Sequence, residues 1–438
     1  MVSDAAYIDE LNCQIRRHPT SFAGKMTQGL LDLHREAYPI DTHFDSISGR
    51  FQLGGDFEAE TYEPGLSKPL PWLVVRLFRC LLPHGQNKPL FNHANREGFN
   101  LGMGGAVSCG HANLQNILGR WAGESWSVIE AEHENLKREA AENENARLCS
   151  TVSETRAAAE AGARSLIFAV EGAHCLGASP WFGSETSRKD RLANLADLKR
   201  NKGAAYITLD HYCGTDISRA GVPLNPLSPW GWRHGGLTEF GERVVERAID
   251  LGLVIDLAHS NTRSVLDTCR IAKRRGVPVL ASHAGSRRIM TGLRSVKNTY
   301  TRRMLSDAAI KAIVETGGCI GVVIGTQFLV SARFNNFRKM TDMPLSTYLD
   351  HYEKLANLIG FFGFDVDPWN HLCFGTDFDG GLASIPWEIR GARDLPLVTL
   401  AMRERGWPDE RIKRVYSENF LRVWSAAETG AVAGKSGP

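Results

Sequence analysis

A chain of 438 residues is too long for one small core and fits a single large α/β barrel or two to three domains. Hydrophobic residues at 43% and charged residues at 23% are ordinary for a soluble globular protein. A net charge of +2 excludes a strong electrostatic footprint for nucleic acid or an anionic membrane.

The N-terminal stretch MVSDAAYIDELNCQIRR has no apolar core of signal-peptide length. Residues 1–37 read as a helical lead-in, with apolar residues at three- and four-residue spacings over Ile8–Ile15 and Met26–Leu33. The first predicted strand runs into YPIDTHFDS, Tyr38 to Ser46. In a strand, His43 and Asp45 face one side and Phe44 the other. Residues 50–100 then form a long connection rich in Gly, Pro and polar residues, which reads as an insertion serving as a lid or an interface. Its run Pro71 to Pro83 is the longest apolar stretch, and Arg76 and Arg79 break it, so no segment spans a bilayer. Nine scattered Cys without a Cys-x-x-Cys indicate reduced thiols in a cytoplasmic protein and exclude a thiolate zinc site.

NLGMGGAVSCGHAN is the second predicted strand. A polar helical stretch from Glu130 to Ala161 follows, stopped at Gly162. SLIFAVEGAH, AAYITLDHYCGT, LVIDLAHS, VPVLASHAG, CIGVVIGTQF and HLCFGTDFDG are the third to eighth strands. Helical patterns separate them, several closed by Gly203, Gly252 or Gly276, and one opened by Ser306 as N-cap. The chain closes on the helix DERIKRVYSENFLRVWSAA and a flexible tail, 428–438. Near-continuous apolar strands are covered on both faces, as in parallel sheets. Eight strand–helix units therefore predict one (β/α)₈ TIM barrel.

In such a barrel the active site lies at the C-terminal strand ends. Those ends carry His43 and Asp45, Glu171, His211, His259, His283 and Asp377. Singly, each has a bland reading as a hydrogen-bonded histidine or an Asx-type turn. Six of eight strand ends carrying such groups are better explained by one shared site. Three imidazoles and two carboxylates suit two metals: His43, Asp45 and one Glu171 oxygen for the first, the other Glu171 oxygen with His259 and His283 for the second. A bridging carboxylate holds two such ions about 3.5 Å apart, around a shared hydroxide that attacks the substrate. Imidazole with carboxylate favours Zn²⁺. Asp377 remains free to carry a proton and His211 to stabilise an oxyanion.

With DTHFD, AVEGAH, TLDHYCGT, DLAHS, ASHAG, FGTDFDG and NFLRVW in this order, the chain resembles the membrane (renal) dipeptidase family from about Pro39 to Trp424. This family is a binuclear zinc branch of the amidohydrolase superfamily. The resemblance implies the same two-zinc ligand set, with His211 holding the intermediate and Asp377 carrying the proton. It implies a dipeptidase acting on short peptides, with D-residues tolerated at the C-terminal position. An Arg in the family binds the substrate carboxylate, and TRRMLSD places Arg303 there. Met304 replaces the family's frequent Asn, and RIMTGLRSVKNTY is additional. The cluster Arg287, Arg288, Arg294, Arg302 and Arg303 reads equally as a substrate-facing patch or a solvated loop. Barrels of this branch dimerise, and Trp72 to Leu82 is the candidate contact for a homodimer. The lipid anchor of vertebrate members does not carry over. Two other readings stand beside dipeptide hydrolysis: a related metallohydrolase cleaving another amide or a lactone, and a non-catalytic metal-binding barrel.

Overall fold

The computed structural model describes residues 2–52, 55–60, 93–112, 124–177, 186–223, 235–291, 299–329, 343–382 and 384–435. Trp72 to Leu82, most of the 50–100 insertion, and Arg294 lie outside the described residues.

Nine strands are described: β1 (Ile40–Phe44), β2 (Gly105–Gly110), β3 (Ala146–Cys149), β4 (Arg164–Glu171), β5 (Tyr206–Thr208), β6 (Val254–Asp256), β7 (Leu280–Ala284), β8 (Cys319–Val322) and β9 (Leu372–Phe374). All pair in parallel, in the order β1-β2-β4-β5-β6-β7-β8-β9. Backbone bonds from the segment after β9 close the ring onto β1: Asp377 N donates to His43 O at 3.1 Å, and Asp45 N to Phe378 O at 2.9 Å. The eight-strand path is the expected TIM barrel.

β4 shows why the strands are legible. Ser165 to Glu171 are all buried, because neighbouring strands and outer helices cover both faces. The intervening helices carry the expected ends. Thr238, Asn261 and Ser306 each accept from a backbone N–H three residues on. Gly252 closes its helix at φ 79°, a conformation that glycine adopts without a Cβ penalty.

One expectation is corrected. The single helical stretch from Glu130 to Ala161 is two helices, Ser125–Glu142 and Val152–Glu160, with β3 between them, paired on the outer edge of β4. Asn143 ends the first helix in extended backbone, and the following residues are ordered by β4 instead. The final helix runs from Asn419 to Lys435. That helix plugs the barrel at the end away from the strand C-termini. Phe420, Leu421, Val423 and Trp424 share a buried cluster with Ile40, Val254, Leu280 and Cys319, which open β1, β6, β7 and β8.

Among the described residues every cysteine is free, and no helix is long and apolar enough to cross a membrane.

Candidate metal centre

At the C-terminal rim β1 delivers His43 and Asp45 on the same side. Phe44 points away into a cluster with Phe57 and Phe99. Glu171, the last residue of β4, does not divide its two oxygens between the two expected ligand pairs: one oxygen faces both pairs and the other faces His211. Its Oε1 lies 3.0 Å from His259 Nε2, 3.4 Å from His283 Nε2 and 3.6 Å from His43 Nε2. Its Oε2 lies 3.2 Å from His211 Nε2. His43 Nε2 is also 3.6 Å from Asp45 Oδ1 and 4.0 Å from Asp377 Oδ1. The structure thus brings together all seven strand-end residues predicted from the sequence, and all are buried.

The donor set fits divalent cations. His43 Nε2 and Asp45 Oδ1 are buried without a hydrogen-bond partner among the described residues, a costly arrangement unless something charged sits between them. His259 Nε2 and His283 Nε2 approach to 3.0 Å, so they share a proton or converge on a cation. Glu171, His259 and His283 form one group whose ligand atoms lie within 4.8 Å of one another. His43, Asp45 and Cys109 form another, but Cys109 Sγ lies 3.2 Å from Nδ1 of His43, behind the ring, and not beside Nε2.

Electrostatics point the same way. Burial pushes Glu171 up to about 8 and Asp377 well above the usual carboxylate range. Burial, reinforced by the charge of Arg303, holds His259 and His283 well below the usual imidazole range. For His43, burial opposes the charged form, yet Cys109, Asp45 and Glu171 together raise it well above its ordinary value. Cations bound at such a centre would compete with protons for these groups.

His259 and Asp377 both sit at φ 64°, a left-handed conformation rare for residues with a side chain. The peptide of Gly221 donates to His259 O at 2.7 Å and that of Gly380 to Asp377 O at 3.0 Å. A Cβ on Gly380 would sit 2.0 Å from Asp377 Oδ1, so a side chain there would displace the Asp377 carboxylate.

Arg303 is buried beside the centre. Its Nη2 donates to His283 O at 2.9 Å, Phe328 stacks 5.9 Å from its guanidinium carbon, and Nε and Nη1 have no partner among the described residues. Its cluster neighbours have other work. Arg287 donates to the carbonyls of Thr301 and Met304, Arg288 pairs with Asp307, and Arg302 is exposed.

The sequence reading passed over four residues. Asp256 Oδ2 accepts from Ser282 Oγ at 2.8 Å and from Thr208 Oγ1 at 2.6 Å, and Ser282 Oγ lies 2.9 Å from His283 Nδ1. Ser282, donating to Asp256, accepts from Nδ1–H and leaves Nε2 of His283 with a lone pair facing the site. His111 lies immediately after β2, with Nε2 3.8 Å from Asp45 Oδ1, so the strand-end rule itself would have found it. Tyr206 lies beneath His43, its hydroxyl 3.0 Å from Nδ1.

The membrane dipeptidase family (Peptidase family M19) matches residues 120–436. That span holds Glu171, His211, His259, His283, Arg303 and Asp377; His43 and Asp45 precede it. Dipeptidase 3 of Mus musculus is 26% identical over 234 residues, 52% of this chain and 40% of that protein. An uncharacterized protein in the pqqA 5′ region of Klebsiella pneumoniae is 28% identical over 188 residues, 43% of this chain and 60% of that protein. The chain spans less than two thirds of the length of either curated relative. A Rhodobacter sphaeroides metallo peptidase, solved with a phosphinate mimic of the dipeptide L-Ala-D-Ala, shares the fold at TM-score 0.62 and 20% identity, covering 89% of this chain and 99% of that one. By the family match over most of its length, this chain belongs to the membrane dipeptidase family, peptidase family M19.

Proposed function

We propose that the chain is a zinc-dependent dipeptidase that holds two Zn²⁺ at the barrel rim. The observation that carries this reading is Glu171, whose Oε1 lies within 3.6 Å of Nε2 of His43, His259 and His283 alike. His43 and Asp45 would hold one ion, His259 and His283 the other, with Glu171 shared. When bound, such ions polarise a carbonyl and lower the pKa of water enough for it to attack at neutral pH.

The chain's own residues do the rest. Asp377 accepts the proton of the attacking water and passes it to the leaving amine as the C–N bond breaks. His211, within reach of Glu171 Oε2, donates to the oxyanion. Arg303, with Nε and Nη1 unpartnered and a second hydrogen left on Nη2, takes the free carboxylate of a short peptide along one edge of its planar guanidinium. Substrates without that carboxylate lose this anchor, which favours dipeptides over proteins. The Rhodobacter sphaeroides neighbour was solved with a mimic of L-Ala-D-Ala, and we extend tolerance of a C-terminal D-residue to this chain.

The test is a panel of L,L- and L,D-dipeptides beside lactones and acylated amino acids, with zinc-loaded protein. Dipeptide turnover that a chelator abolishes supports the reading. Turnover of lactones or acylated amino acids alone assigns a related metallohydrolase, and dipeptide binding without turnover assigns a non-catalytic barrel.

A further inference from the structure

The two halves of the centre are tethered from below in different ways. On the β7 side, His283 Nδ1 rests on Ser282, which is held by Asp256. On the β1 side, His43 Nδ1 meets the hydroxyl of Tyr206, the first residue of β5. Tyr206 is fully buried and reaches from the plugged end of the barrel up to the underside of His43.

A phenol has one proton to donate and two lone pairs to accept with. Tyr206 donates its proton to Thr42 O at 2.8 Å. Its oxygen then faces Cys109 Sγ at 2.8 Å and His43 Nδ1 at 3.0 Å. With the phenol proton committed to Thr42 O, Nδ1–H of His43 finds its acceptor in the phenol oxygen, and the Cys109 thiol, 2.8 Å from that oxygen and 3.2 Å from Nδ1, can donate to the oxygen beside it. The nearest backbone acceptor for the thiol, Val107 O, is 3.6 Å away. A proton on Nδ1 leaves Nε2 as the lone-pair nitrogen. Nε2 is the atom that faces Asp45, Glu171 and Asp377 without a hydrogen-bond partner. The His43 ring is also stacked on that of His283, centroids 3.6 Å apart, so it has little freedom to turn.

We infer that Tyr206, with Cys109 beside it, is a positioning residue that fixes the tautomer and orientation of His43 and so sets the affinity of the His43–Asp45 half of the centre independently of the His259–His283 half. The inference rests on the two-ion reading above. Residues that hold a ligating imidazole from behind typically contribute 10- to 100-fold to metal affinity.

The experiment is a zinc titration of metal-depleted protein against a chromogenic chelator, resolving the two binding steps, with apo-protein melting recorded in parallel. Tyr206→Phe keeps the ring and removes only the hydroxyl. It is expected to weaken one step roughly 10- to 100-fold and leave the other unchanged. Cys109→Ala shifts the same step in the same direction by less. Ser282→Ala weakens the opposite step. In Asp45→Ala, adding Tyr206→Phe leaves the remaining zinc affinity where it was. Wild-type affinity in both steps for Tyr206→Phe and Cys109→Ala would overturn the inference, as would equal weakening of both steps, which marks a merely structural role. If Tyr206→Phe does not fold, Cys109→Ala and Ser282→Ala decide by whether they act on opposite steps. Wild-type protein that binds fewer than two zinc overturns the two-ion reading itself, and this inference with it.

Discussion

Glu171 Oε1 lies 3.0 Å from His259 Nε2, although these residues leave two different barrel strands and are both buried. Burial pushes Glu171 up to about 8 and holds His259 well below the usual imidazole range, so each is held towards its neutral form. Their convergence makes sense around a cation, and the consequences can be measured.

Asp377 is proposed to move protons and not to bind metal. Asp377→Asn keeps the size of the side chain and tolerates the left-handed backbone at φ 64°. Its kcat should fall roughly 10²- to 10⁴-fold, the usual contribution of a general acid–base, while zinc content stays at the wild-type value. A variant that retains wild-type kcat would remove Asp377 from the chemistry.

Arg303 should act on substrates through their carboxylate. Arg303→Lys keeps a positive charge but loses the fork, so KM for a dipeptide is expected to rise by at least about tenfold, with a smaller change in kcat. Against the same dipeptide blocked as its C-terminal amide, wild type and variant should be alike. An equal penalty on both substrates would mean that Arg303 serves the structure, through its bond to His283 O, and not the ligand.

Acid stability should be governed in part by histidines remote from the centre. His34 is buried between Thr399 Oγ1 at 2.7 Å and Gly102 O at 3.0 Å, and burial pushes it down to about 3. His351, which accepts from Ser286 N, is pushed down to about 4 by burial. Both are neutral in the folded chain, whereas an unfolded histidine titrates near 6.5. Below that value the unfolded state binds more protons, so this stability is complete above about 6.5 and is lost as pH falls towards 4 and 3. Melting temperatures of metal-free protein should fall from pH 7 to pH 5, and His34→Gln should flatten the slope. An unchanged slope in the variant would contradict the assignment to His34.

Particular residues explain how far the sequence could be read. β4 and β7 are apolar runs that stop on chemistry, Glu171 and His283, so both the strand and its functional end are visible in one stretch. β3 is not visible in this way: four residues between two helices carry too little periodicity, and pairing with β4 orders them. Tyr206 and Ser282 look like ordinary strand residues. Their roles arise across the barrel, with Tyr206 and His43 163 positions apart, a relationship that no local pattern encodes. His111 was legible, being one more histidine at a strand end, but the glycines around β2 obscured where that strand stopped.

The central claim is that Glu171 joins two metal sites into one centre. Elemental analysis of wild type and Glu171→Ala, both purified without chelator and offered Zn²⁺, tests it most directly. Two zinc per chain in the wild type, falling sharply in the variant, is the predicted result. One zinc or none in the wild type, or two retained in Glu171→Ala, would contradict it.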